Sequence, residues 1–118
     1  MADEDGDTIF GKIIRGDIKG PPFLHEDDKC IALKDIHPQA PIHFLVISKQ
    51  EIKTIDSINE TQKELLGHMM WVATKVAKDQ GATNGYRIVV NDGSDGGQHV
   101  FHLHFHVLAG RKMSWPPG

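Results

Sequence analysis

Apolar residues recur at helical spacing near the start of the chain, at Ile9, Phe10, Ile13 and Ile14, and predict one short helix over 8–15. Asp7 or Thr8 can cap it and Gly16 ends it. Two short apolar runs, 23–26 and 30–33, flank the polar triplet Asp27-Asp28-Lys29 and read as a hairpin. Pro38 and Pro41 make 37–41 a loop, after which the alternation resumes as a strand over 43–47. Ser57 and Glu60 stand at capping-box spacing before a broad helical stripe of Leu65, Met69, Val72 and Val76, flanked by Leu66, Met70, Ala73 and Ala77 and ending at Gly81. The methionines and Trp71 of this stretch read as core. A strand over 86–91, a glycine-rich connection over 92–98 and a strictly alternating strand over 100–108 complete the pattern. The chain closes on the stiff tail Trp115-Pro116-Pro117-Gly118, whose tryptophan is wasted unless it covers something.

Five short strands joined by hairpin-length loops, with one long and one short helix, predict an α+β fold. The expected sheet is antiparallel, with the long helix laid across one face. At 118 residues there is room for one domain, and the acidic segment 1–7 is expected to be flexible. A net charge of −3 gives no basic footprint for nucleic acid. The N-terminal residues lack the layout of a secretory signal and no apolar run reaches membrane-spanning length, so neither a membrane nor nucleic acid is expected as a partner. The single cysteine, Cys30, lies in an apolar strand and reads as a buried structural thiol.

The last strand changes the picture. His102, His104 and His106 alternate with Phe101, Leu103, Phe105 and Val107, so period two puts three imidazoles on one face and an apolar set on the other. The apolar side is expected to press into the core against the long helix and turn the histidines toward a cleft. A merely solvated face would mix Thr, Lys, Glu and Ser. A zinc site would draw two ligands from one His-x-His pair, but no further ligand set accompanies it, so no metal is assigned. The remaining reading makes one imidazole a nucleophile toward phosphorus, splitting a substitution into two easier steps. His104, at the centre of the row, is best placed. One neighbour can hold its tautomer through the intervening backbone while another protonates the leaving atom. Just upstream, Gly96 and Gly97 allow bare backbone N–H groups to approach an anion, and Gln98 and His99 add polar donors.

The run His102-Leu103-His104-Phe105-His106-Val107-Leu108 resembles the histidine-triad signature. The likeness extends to 8–14, to Asp35-Ile36-His37-Pro38-Gln39-Ala40-Pro41 with 43–47, to 93–98 and to the closing tail, and it is similar to the histidine-triad nucleotide-binding branch, the purine nucleoside phosphoramidases. That resemblance implies a homodimer with a continuous antiparallel sheet, working without a cofactor or metal in the cytoplasm, with the nucleus as a second location. Its implied activity is hydrolysis of purine nucleoside phosphoramidates and of aminoacyl- or lysyl-adenylates to AMP through a nucleotidyl-histidine. Carried over, His104 is the nucleophile, His106 contacts the phosphate and leaving group, and His102 orients the nucleophile. Asp35 holds the ribose hydroxyls, with Ile36 against the base and Ile9 and Phe10 forming an apolar slot. His43, Asn91, Gly97 and Gln98 complete the phosphate side, and Trp115 joins the substrate-binding set. His99 departs from the branch, which usually carries a small hydroxyl residue there; a titratable donor bears on leaving-group preference and pH optimum. Two other functions share the same sequence features, a dinucleoside polyphosphate hydrolase and a nucleotide-binding scaffold that regulates protein partners.

Overall fold

A computed structural model describes residues 7–118, so all of the acidic N-terminal segment except Asp7 lies outside the described residues. Helix α1 spans Ile9–Arg15; Thr8 Oγ1 accepts from the Gly11 amide at 3.1 Å, and Gly16 closes the helix at φ 80°. Asp7 is paired with Arg15 at the other end of the same helix. Strands β1 (Phe23–Glu26) and β2 (Cys30–Lys34) form the expected hairpin, followed by β3 (Ile42–Ser48), α2 (Lys63–Asp79), β4 (Tyr86–Val89) and β5 (His104–Ala109). All pairings are antiparallel, in the spatial order β1-β2-β3-β5-β4. The α+β class, the five strands and the one long and one short helix are as the sequence predicts. No helix among the described residues is long and apolar enough to cross a membrane.

The pleat sorts side chains onto two faces. Cys30, Ala32, Phe44, Val46, Phe105 and Val107 point to α2, where Met69, Val72, Ala73, Val76 and Ala77 cover them. Ile31, Leu33, Leu45 and Ile47 point the other way, onto Phe10 and Ile13 of α1. With apolar residues on both faces, β2 and β3 are nearly continuously hydrophobic. Helix α1 is too short to cover its face completely, and the uncovered part is where the histidines of β5 emerge.

Four expectations need correction. Ser57 caps nothing: it sits in a 3₁₀ turn, Ile55–Ser57, whose amide is capped by Thr54, and the capping box is Asn59 with Gln62. Met70 and Trp71 lie off the buried stripe of α2, and Trp71 is 56% exposed. Strand β4 ends at Val89 rather than at residue 91. Strand β5 begins at His104 rather than Val100, because Leu103 keeps only half of the pairing with β3: its carbonyl accepts from the Ser48 amide at 3.2 Å, but its amide leaves the ladder to donate to the Ile52 carbonyl at 2.6 Å.

Candidate active site

On the α1 face the sheet carries His104 and His106 from β5 and His43 from β3. His106 stands opposite Leu45 and diagonal to His43, which is within reach of a long side chain. Around them lies a cleft of about 740 Å³, in the size range of small-molecule sites. Its apolar wall is built by Ile9, Phe10, Ile13, Leu33, Leu45 and Val100, and its polar side by Asp35, His43, Asn91, His99, His104 and His106. Ile36, 68% exposed, stands at the rim, and Gly97 completes the lining.

Hydrogen bonds set the state of each ring. His104 Nδ1 donates to the His102 carbonyl at 2.6 Å, so Nε2 of the neutral ring keeps its lone pair. Phe10 packs edge-on against His104 with 4.9 Å between ring centroids and limits how the imidazole can tilt. A second chain starts at Gln39. Its amide donates to His43 Nδ1 at 3.0 Å, which leaves the His43 proton on Nε2; that nitrogen lies 3.0 Å from His106 Nδ1. His106 therefore carries its own proton on Nε2, as a donor. The Gln39 carbonyl is gripped by Arg111 through Nε at 3.1 Å and an Nη at 2.9 Å, so the residue that addresses His43 is anchored through the peptide on its other side.

Burial pushes His43, His104 and His106 below the ordinary imidazole value, and the last falls to about 4 with His104 and His43 adding to the effect. The Asp35 carboxylate opposes this, 3.4 Å from His43 Nε2 and 3.9 Å from His106 Nδ1, but burial dominates. The rings are neutral at pH 7, the form that acts as a nucleophile. Asp35, His43 and His106 also lie close enough together to hold an ion, yet the nitrogens that would ligate it are the ones that carry the Gln39-His43-His106 chain.

The glycine-rich turn closes one end of the cleft, where Asn91 and Gly97 line it. Gly97 has φ +76°, and a Cβ at Gly96 would collide with the Asp92 carbonyl oxygen. Asn91 Nδ2 donates to the Gly96 carbonyl at 2.7 Å, tying the strand end to the turn.

Three of the expected site residues do not line the cleft. The His102 ring is buried and donates through Nε2 to the Ser48 carbonyl at 2.6 Å, so it reaches His104 only by its own backbone carbonyl. Gln98 spends its side chain inside the loop, accepting from the Gly93 amide and donating to the Lys53 and Val100 carbonyls, which leaves no donor for a phosphate. Trp115, 82% exposed, stands clear of this chain's cleft. Conversely, Gln39, Ser48 and Arg111 act through backbone groups or on them, and no side-chain pattern in the sequence announces such roles.

Residues 21–113 match the HIT domain family. An uncharacterized HIT-like protein of Synechococcus elongatus is 49% identical over 112 residues, covering 95% of this chain and 97% of that protein. The crystal structure of a HIT family hydrolase from Legionella pneumophila superposes with a TM-score of 0.90 at 44% identity, covering 95% of this chain and all of that one. A histidine triad protein from Clostridium difficile gives 0.86 at 39%, with 97% of each chain covered. The chain is a member of the HIT domain family, with the hydrolase-like fold of that family.

Proposed function

We propose that this protein hydrolyses purine nucleoside phosphoramidates and aminoacyl- or lysyl-adenylates to the nucleoside monophosphate through a nucleotidyl intermediate on His104. The observation that carries the reading is the His104 Nδ1 bond to the His102 carbonyl in a ring that lines the cleft, which leaves Nε2 as a neutral nucleophile. In the first step Nε2 forms a bond to phosphorus while the bond to the leaving atom breaks, the nitrogen of a phosphoramidate or the carboxylate oxygen of an acyl-adenylate. The growing positive charge on the ring is held by the carbonyl on Nδ1. His106, with its Nδ1 occupied by His43, offers Nε2–H to a phosphoryl oxygen as a hydrogen-bond donor. Releasing that proton would leave the pair anionic, so a leaving amine takes its proton from solvent, with His99, an exposed ring on the cleft lining, placed to assist. Water then attacks phosphorus, the bond to His104 breaks, and the proton lost by the water returns to solvent.

The apolar wall suits a purine, and Asp35 beside Ile36 suits ribose hydroxyls under a base. The same reading makes the protein a homodimer. Edge strand β4 and the exposed Met70 and Trp71 of α2 support it, and the exposed Trp115 fits a tail that covers a partner's surface. The test is intact mass after brief mixing with an adenosine phosphoramidate. A nucleotidyl adduct is expected on the parent protein and none on His104→Asn. Turnover by His104→Asn at the parent rate would sink the reading, and faster cleavage of a diadenosine polyphosphate would move the substrate class.

A further inference from the structure

On the α2 side of the sheet, away from the cleft, four side chains of different elements converge. His25 comes from β1, Asp27 from the hairpin turn, Cys30 from the start of β2 and His68 from the second turn of α2. His25 Nε2 and His68 Nε2 each lie 2.6 Å from the same oxygen, Asp27 Oδ2, and Cys30 Sγ lies 3.9 Å from it. One ligand atom from each of the four falls within 4.8 Å of all the others. We propose that His25, Asp27, Cys30 and His68 form a tetrahedral binding site for a zinc-like divalent cation that fastens the β1-β2 hairpin to helix α2.

Two backbone features make this a built arrangement. Phe23 pairs with Leu33 but His25 pairs with Ala32, so a bulge lies between them. An unbroken ladder would put His25 opposite Ile31, on the α1 face; the extra residue turns it onto the α2 face that Ala32 shares with Cys30. Asp27 is held by its other oxygen, Oδ1 accepting from the amides of Lys29 at 2.7 Å and Cys30 at 2.9 Å, which presents Oδ2 to the two imidazoles. Carboxylate ligands fixed by outer hydrogen bonds are the usual support of metal sites.

The donor set selects the ion. Two imidazoles, one thiolate and one carboxylate match a four-coordinate zinc site, whereas calcium and magnesium call for oxygen. Ligand distances of ~2.0–2.3 Å require the two imidazole–carboxylate contacts to open and the Cys30 contact to close, each by under about 1 Å. A thiolate and a carboxylate also balance the charge of a divalent ion, which a partly covered position demands. Burial and Asp27 push the Cys30 thiol up to about 12, so in the metal-free protein it is protonated and inert. Binding exchanges that S–H proton for the Cys30 Sγ–metal bond and releases it to solvent, while each neutral imidazole gives up the Nε2–H that meets Asp27 and carries its proton on Nδ1 instead, freeing Nε2 to ligate. The side chains of His68 and Asp27, 27% and 23% exposed, leave a way in from solvent. These four residues carry no zinc-ligand spacing along the chain and meet only through the fold.

The experiment uses the tag-free, chelator-treated full chain. Competition against a chromophoric chelator is expected to give one zinc per chain. His25→Gln and His68→Gln should each weaken it at least a hundredfold, while His106→Asn in the cleft leaves it unchanged. Cobalt(II) gives a second readout on the parent protein: Cys30 is the single cysteine, so a thiolate-to-cobalt charge-transfer band reports this site alone and must vanish in Cys30→Ser. No uptake at micromolar zinc, no charge-transfer band, or uptake lost in His106→Asn but kept in His25→Gln would each overturn the assignment.

Discussion

The two faces of one sheet carry two histidine clusters built on opposite principles. On the α1 face the imidazoles bond to carbonyls and to each other, and burial without a tightly bonded carboxylate keeps them neutral. On the α2 face two imidazoles bond to one carboxylate, which their N–H groups hold well below the usual range despite its partial burial. Neutral rings with a free lone pair suit attack on phosphorus; rings gathered on an anion suit holding a cation. Residue type alone does not separate the two, and the partner atom does.

The largest break in this comparison is His104→Asn, expected to lower kcat by about 10⁴-fold in steady-state assays while AMP binding by calorimetry is retained. Removing the grip on Gln39 by Arg111→Ala should lower kcat about tenfold with KM little changed, because the His43-His106 pair loses its fixed geometry. On the other face, Asp27→Ala strips the Lys29 and Cys30 amides of their acceptor. It should cost about 1–3 kcal/mol in denaturant unfolding, with kcat/KM at the parent value.

A pH series sharpens the contrast. His106 titrates near 4 when folded and at 6.5 as its ordinary value, so the folded state binds fewer protons between these limits. Its contribution is fully present above pH 6.5 and is lost as pH falls through 4. Thermal unfolding temperatures should drop across that window, and His106→Asn should flatten the slope. For the same reason the acid limb of kcat/KM, which reads the free enzyme, should lie below 6.5. The smallest effect is expected of His99→Ser: a severalfold loss confined to substrates with a basic leaving amine, seen by comparing leaving groups at pH 6 and 8.

Much of the fold was legible because both faces of the sheet are covered and leave strong periodicities. The alternation of 102–107 reported the correct faces even where the chain is not strand: Leu103 packs under α2 although β5 starts one residue later. The boundaries failed where backbone groups found partners outside the ladder, as at Leu103, and where two polar residues competed to cap, as Asn59 did over Ser57. Of the candidate site, the residues contributing rings and carboxylates to the cleft were visible in the sequence. Gln98 and the ring of His102 do not reach the cleft because their side chains satisfy buried carbonyls, a need set by the tertiary path of the loop, while the His102 carbonyl meets His104 through the backbone as expected. The α2-face cluster was missed because its members are 43 positions apart at the extremes and one of them depends on a bulge.

The hold on Gln39 has a consequence for protons as well as for shape. The guanidinium bonds the carbonyl of the Gln39-Ala40 unit, and the N–H that meets His43 belongs to the Pro38-Gln39 unit, so anchoring one side of the residue keeps the donor on the other side aimed. A donor held in place at His43 Nδ1 makes a proton less welcome there and so locks the handedness of the whole proton wire, from the loop through two rings to the mouth of the cleft. A fixed cation on the far side of the loop thereby acts as a remote bias on which nitrogen of His106 faces the substrate, without ever meeting it.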